Sequence, residues 1–158
     1  MRGISKYKKH IIAPDVLYGS TAVAKFINYI MERGKKSIAT RVVYDSLEFA
    51  SKELKKEPIE IFTTVISTVA PAVEVKSKRI GGANYQIPAE VKEPRRTALA
   101  MRWIIEAAKS RKGMPMSKRL AAEYKDILAG TGSALKKRED THRMAEANRA
   151  FAHFAKMR

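Results

Sequence analysis

The sequence predicts a mainly α protein, a single bundle of about six helices with a two-stranded β-hairpin protruding between the third and fourth. Three observations lead there. Apolar residues recur at helical spacing over most of the chain. One stretch, Ala70 to Met101, breaks that rhythm: Val73, Val75, Ile87 and Val91 keep a period of two on either side of a Gly81-Gly82-Ala83-Asn84 turn. The length, 158 residues, gives room for one domain with a real core and not for a second.

Taken in order, Met1 to His10 carries Arg2, Lys6, Lys8 and Lys9 with no acid, so residues 1–12 read as an extended basic arm. Ala13-Pro14-Asp15 is a turn, after which Ser20 caps a first helix with Val23, Phe26, Ile27, Ile30 and Met31 on one side and Gly34 as its stop. A second helix from about Lys35 to Leu54 turns Ala39, Val42, Val43, Leu47, Ala50 and Leu54 inward, antiparallel to the first because the link is short. Pro58 suits the first turn of a third helix, where its missing N–H goes unnoticed, and Phe62, Val65, Ile66 and Val69 form its stripe until Pro71 stops it. The hairpin arm, residues 72–91, follows, with Lys76, Lys78 and Arg79 towards its tip. An isolated hairpin is marginal in water, so this one needs a partner to hold it.

Pro94 opens a fourth helix through Ser110, with Leu99, Trp103, Ile104, Ala107 and Ala108 inward. Arg95, Arg102 and Lys109, spaced by seven, drift only about 20° per step and share a cationic face. Lys109 to Arg119 reads as a loop with five cations, Lys109, Arg111, Lys112, Lys118 and Arg119. Ser117 is placed to cap a fifth helix, with Leu120, Ala121, Tyr124, Ile127 and Leu128 inward and Gly130 at its end. From Ser133 onwards a sixth helical pattern leads with Lys136, Lys137 and Arg138 and is thin in large apolar residues, so residues 148–158 form a tail that core burial cannot hold.

Charge narrows the function. There are 32 Lys and Arg against 16 Asp and Glu, a formal +16, which points to a phosphate-rich partner, nucleic acid before an anionic membrane. Acids are spread over the middle helices, while the N-terminal arm, the hairpin tip and the Lys109 to Arg119 loop are basic and acid-free. Cations on extended elements suit phosphate contact better than mere solubility. Cysteine is absent, which excludes disulfides, thiolate metal sites and a cysteine nucleophile. No apolar run approaches the roughly 20 residues that span a bilayer, and the start lacks a signal peptide's apolar core. A soluble, intracellular protein is expected.

Catalysis has little support, and no cofactor or metal is expected. His10, His142 and His153 are the only histidines, and none sits in a zinc or nucleophile signature. His142 and Glu146 are four apart, the spacing of ordinary surface neighbours. Gly34-Lys35-Lys36-Ser37 lacks the earlier glycine and the leading strand of a phosphate loop, and Gly130-Thr131-Gly132 lacks dinucleotide spacing. Trp103 reads as core. Tyr85, beside the cationic tip, reads either as a base-stacking ring or as packing on the opposite strand. Dispersed cations on arms suit a folded RNA; an architectural DNA-binding protein using a basic β-arm is the alternative.

Several motifs in order then carry a resemblance: Pro14-Asp15-Val16-Leu17-Tyr18-Gly19-Ser20, Lys25-Phe26-Ile27-Asn28-Tyr29-Ile30-Met31, Gly34-Lys35-Lys36-Ser37, Val43-Tyr44, Arg79-Ile80-Gly81-Gly82, Tyr85-Gln86-Ile87-Pro88, Arg95-Arg96, His142-Arg143-Met144-Ala145-Glu146-Ala147-Asn148 and Phe151-Ala152-His153. Over nearly the whole chain the sequence resembles the small-subunit ribosomal protein seven family, bacterial type. The opening Arg2-Gly3-Ile4-Ser5 departs from the proline-led basic start common in that family. The resemblance implies a cytoplasmic, ribosomal protein without enzymatic activity that binds the 3′ major domain of 16S rRNA and nucleates assembly of the head. It implies that the hairpin and C-terminal region lie near exit-site tRNA and the mRNA path, with small-subunit ribosomal proteins nine and eleven as neighbours and no membrane. The rRNA contacts it implies are Lys8, Lys9, Lys35, Lys36, Lys76, Lys78, Arg79, Arg95, Arg96 and Arg102. The further basic clusters add Lys109, Arg111, Lys112, Lys136, Lys137, Arg138 and Arg143.

Overall fold

Ser20 fixes where the helical body starts. Its backbone is extended and its hydroxyl accepts from the Val23 N–H at 3.4 Å, satisfying one of the donors that a helix N-terminus leaves open. In the computed structural model, which describes residues 11–155, the elements that follow are α1 (Thr21–Ile30), α2 (Lys36–Leu54), α3 (Pro58–Val69), β1 (Val73–Ile80), β2 (Ala83–Glu90), α4 (Arg95–Ser110), α5 (Met116–Leu128) and α6 (Ser133–Ala147). A 3₁₀ segment, Arg149–Ala155, completes it. The mainly α body and the hairpin between α3 and α4 are as the sequence predicts. The residue 1–10 portion of the basic arm, with Lys8 and Lys9, and the last residues of the tail lie outside the described residues.

The apolar stripes meet in one core. Val23, Phe26 and Ile27 of α1, Val43 and Leu47 of α2, Ile61, Phe62 and Val65 of α3, Ile104 of α4 and Leu120 and Ile127 of α5 are all buried. Phe26 and Phe62 meet edge-on, ring centroids 5.3 Å apart, and a buried side chain of this size stabilises the fold by about 1.5–3 kcal/mol. Trp103 is core, as expected.

Several boundaries move. α1 ends at Ile30, four residues before Gly34, because the chain turns out through Arg33 and Gly34, both at positive φ (52° and 74°). Ser117 does not cap α5. Pro115 takes that position with extended backbone (φ −63°, ψ 155°), and Ser117 is buried in the first turn. Proline's fixed φ starts the helix two residues earlier than the serine would. The supposed loop from Lys109 to Arg119 shrinks to residues 111–115, since its ends belong to α4 and α5. The sixth helical pattern stops at Ala147, and the chain continues as the 3₁₀ segment.

The hairpin turn is tighter than the sequence suggests. Ile80 pairs with Ala83, so Gly81-Gly82 alone makes the turn, both glycines at positive φ (56° and 90°) as a two-residue hairpin loop requires. That register pairs Lys76 with Ile87 and Lys78 with Tyr85. Cross-strand partners share a face, so Val73 and Val75 lie on the face opposite Ile87. In β1 the buried side chain is Glu74, not a valine.

Three elements are tied together by another buried carboxylate. Glu123 of α5 is fully buried, and its Oε1 accepts from the Ala134 N–H at 2.9 Å, within the first turn of α6. Its Oε2 accepts from Arg111 Nε and Nη2 at 3.0 and 2.6 Å, and the same guanidinium donates to Asp126. The one carboxylate thus caps α6 and anchors the end of α4. Just before α6, a Cβ on Gly132 would stand 2.6 Å from Ile127 Cγ1 and 3.0 Å from the Ile127 backbone N. Its φ of −63° suits any residue, so the constraint is steric alone. Gly132→Ala is expected to cost about 1–3 kcal/mol by overpacking, read as a lower urea midpoint at unchanged m. Stability within about 0.5 kcal/mol of the parent would show that this corner yields.

Candidate nucleic-acid interface

The arm is seated by charge. Glu74, 9% exposed, accepts from Arg95 Nε at 2.9 and 2.8 Å on its two oxygens and pairs with Lys76 Nζ at 3.0 Å. Burial pushes the Glu74 carboxyl up, but the hydrogen bonds from Lys76 and Arg95 outweigh it and hold it below the usual carboxylate range. It is the charged form that holds β1 to α4. Near the other strand's start, Tyr85 packs edge-on against Phe151 of the 3₁₀ segment, centroids 5.3 Å apart. Tyr85 is half-buried, and its ring meets the C-terminal segment.

Beside the arm, the face of α4 is cationic as its spacing predicts. Arg95, Arg102 and Lys109 are all exposed. Arg102 lies over the Tyr29 ring of α1, 5.5 Å from its centroid. Lys109 donates to Glu32 at 2.6 Å, which holds the Glu32 carboxyl below its ordinary value. Lys25, Tyr29, Arg95, Leu99 and Arg102 line one open cleft of about 260 Å³ between α1 and α4. Three cations around an aromatic ring form a surface that can take a phosphate and a base together. A second groove, about 450 Å³, brings Lys35 and Lys109 together with Arg33 over Ile38 and Val42. Lys36 is exposed in the first turn of α2, a helix start without a side-chain cap.

The other basic residues divide. Arg79, Arg96, Lys112, Lys136 and Arg143 are exposed, Arg143 at 3.8 Å from Asp140. Lys78 is half-buried on the arm. Lys137 is paired with Glu106 at 2.5 Å. Arg111 and Arg138 point inward: Arg111 is held by Glu123 and Asp126, and Arg138 donates to the Thr68 carbonyl. Sequence reasoning missed Lys25, Tyr29 and Arg33. The signal was present for the first two, since residues four apart on α1 meet the heptad stripe of α4.

Among the described residues no cluster of three or more His, Cys, Asp or Glu could hold a metal, and no helix is long and apolar enough to cross a membrane. The surface that remains is built for a polyanion: a helical body, a cationic arm and a cationic face with an aromatic ring set into it. This arrangement defines a basic, arm-bearing binding protein. The family model for ribosomal protein S7p/S5e matches residues 2–149, and the chain belongs to that family. It is 55% identical over 146 residues to small ribosomal subunit protein uS7 of Chloroflexus aggregans, covering 92% of this chain and 93% of that one. The Thermotoga neapolitana protein of the same name is 53% identical over 143 residues, with 90% and 92% covered. That of Polynucleobacter necessarius is 54% identical over 149 residues, with 94% and 96% covered.

Proposed function

We propose that this protein is a cytoplasmic, non-catalytic constituent of the small ribosomal subunit that binds the 3′ major domain of 16S rRNA directly and nucleates assembly of the head. Family membership supports the ribosomal part of this reading. The single observation that carries the RNA contact is the convergence of Lys25, Arg95 and Arg102 around Tyr29, next to an arm seated on Arg95 itself. Phosphates engage the exposed cations of the arm, α4 and the start of α2, while the ring offers a stacking surface. The whole chain acts as one rRNA-binding unit, with residues 1–12 as a further basic arm and 148–158 as its tail. Lys8, Lys9, Lys35, Lys36, Lys76, Lys78, Arg79, Arg96, Lys109, Lys112, Lys136, Lys137 and Arg143 add to the contact. Arg111 and Arg138 serve it indirectly, by holding the body together. The hairpin and C-terminal region lie near exit-site tRNA and the mRNA path, with small-subunit ribosomal proteins nine and eleven as neighbours.

The test is a titration against a transcript of the 3′ major domain, with a scrambled RNA and a DNA duplex of equal length at the same salt. A preference for the native transcript of about a hundredfold, or about 2.7 kcal/mol, is expected, with affinity falling steeply as salt rises. Equal binding to all three would overturn the reading in favour of an architectural DNA binder.

A further inference from the structure

We propose that His142 is a positioning residue for the hairpin arm, holding its root against α6 while the imidazole is neutral and releasing it when protonated. The contact is direct. The Ala72 N–H donates to His142 Nε2 at 3.1 Å across 70 residues of sequence. Ala72 is the hinge point of the arm, because its carbonyl accepts from the Val91 N–H at 3.0 Å, closing the ladder just outside the paired strands. Whatever fixes Ala72 therefore fixes both strands.

The donor in this bond is the backbone, so Nε2 must present its lone pair and the ring must carry its proton on Nδ1. A protonated imidazole has donors at both nitrogens and cannot accept from Ala72. On α6 itself Arg138 stands one turn before His142 and Glu146 one turn after it, the latter paired with Arg149 of the 3₁₀ segment at 3.2 Å. Arg96 approaches from α4, and Glu90 of β2 lines the same cleft. Burial, then the charges of Arg138 and Arg96, hold the His142 pKa below its usual 6.5. A depressed histidine pKa means that the unfolded state binds the proton more readily. The closed contact is therefore complete above about pH 6.5 and is lost as pH falls through the lower folded value.

An open cleft of about 440 Å³, lined by the hairpin root and α6, lies beside this bond, so the root has room to move when it lets go. The other two seats of the arm respond differently. The Glu74–Arg95 pair loses its charge only at or below the ordinary carboxylate range, and the Tyr85–Phe151 contact is one of ring against ring. A loss of the root contact that sets in below about pH 6.5 and above the carboxylate range is thus specific to His142.

The test follows the Ala72 amide by hydrogen exchange in the full chain between pH 5 and pH 8, corrected for intrinsic exchange rates, with the Tyr124 amide as a measure of the body. Ala72 protection is expected to fall at least tenfold as the imidazole protonates, while Tyr124 protection holds. In His142→Ala, Ala72 should be weakly protected at every pH. His142→Gln, which keeps a side-chain acceptor, should restore protection without the pH step. A flat Ala72 profile in the parent, or the same step in His142→Ala, would overturn the proposal. The link to RNA rests on the function proposed above and is read separately. At pH 7.5, His142→Ala should bind the 3′ major domain transcript at least threefold more weakly than the parent, and equal affinity would overturn the positioning role. Should neither protein prefer that transcript over scrambled RNA, the ribosomal reading fails while the amide measurement still decides the latch.

Discussion

Glu123→Ala lowers the stability of the protein by about 3–5 kcal/mol, the largest loss expected from any single exposed-looking acid in the chain. The carboxylate is fully buried and holds three donors: the Ala134 N–H and two nitrogens of Arg111. Without it the Ala134 N–H at the start of α6 is buried and unpaired, costing about 1–3 kcal/mol. The cavity left by a fully buried side chain adds a packing term. Arg111 keeps Asp126 and is 26% exposed, so its share of the loss is reduced by solvent. Glu123→Gln keeps an acceptor for Ala134 and should cost about half as much. Urea unfolding measures both, with unchanged m showing that the loss is one of stability. Less than about 1 kcal/mol for the alanine variant would mean that α6 and α4 are held elsewhere. Because small domains have only about 5–15 kcal/mol in total, this one residue decides whether the cationic face has a rigid base.

Nothing in the run Lys118 to Leu128 marks Glu123 as different from a solvated acid. Its place is set by Arg111 and by the α6 N-terminus, and contacts between elements leave no periodic trace in a single sequence. The same reason separates what was legible in the site from what was not. The helices and the hairpin follow from periods of 3.6 and 2, because burial on one face imposes them. The cationic segments follow from local composition. The partners of those cations do not: Glu74 reads as one acid on a basic ribbon, yet it is the seat of Arg95 and Lys76. Strand faces depend on the turn as well as on the period. A Gly81-Gly82-Ala83-Asn84 turn and a Gly81-Gly82 turn differ by two residues in register and so keep the same parity: in either, Val73 and Val75 lie on the face opposite Ile87, and Glu74 shares the face of Ile87. At Pro115 and Ser117 two start signals stood side by side, and the covalent constraint of proline prevailed over a hydrogen bond worth about 1 kcal/mol.

The second large effect concerns Lys25, Arg79 and Arg102 changed together to alanine. These three are the right choice because none of them seats the arm. Arg95 and Lys76 hold Glu74, so their removal would move the hairpin as well as delete charge. Arg111 holds Glu123, so its removal would weaken the fold. Arg79 is exposed near the turn, while Lys25 and Arg102 flank Tyr29 in the cleft between α1 and α4. Each charge-assisted contact with phosphate contributes on the order of 1 kcal/mol or more, so the triple variant should bind the 3′ major domain transcript roughly 100-fold more weakly. Each lost phosphate contact also removes about 0.7–0.9 from the slope of log affinity against log salt, so the slope should flatten by about 2. Thermal unfolding should be nearly unchanged, since surface substitutions of this kind stay within about 0.5 kcal/mol apiece. The slope discriminates between causes: a weaker complex with an unaltered slope would mean that these cations do not meet phosphate. Tyr29→Leu completes the comparison by removing the ring without removing charge. If a base stacks there, affinity falls by about 1–3 kcal/mol while the salt slope stays that of the parent. If the ring only positions Arg102, the loss is smaller and appears in the slope instead, which separates recognition of a base from placement of a charge at the same cleft.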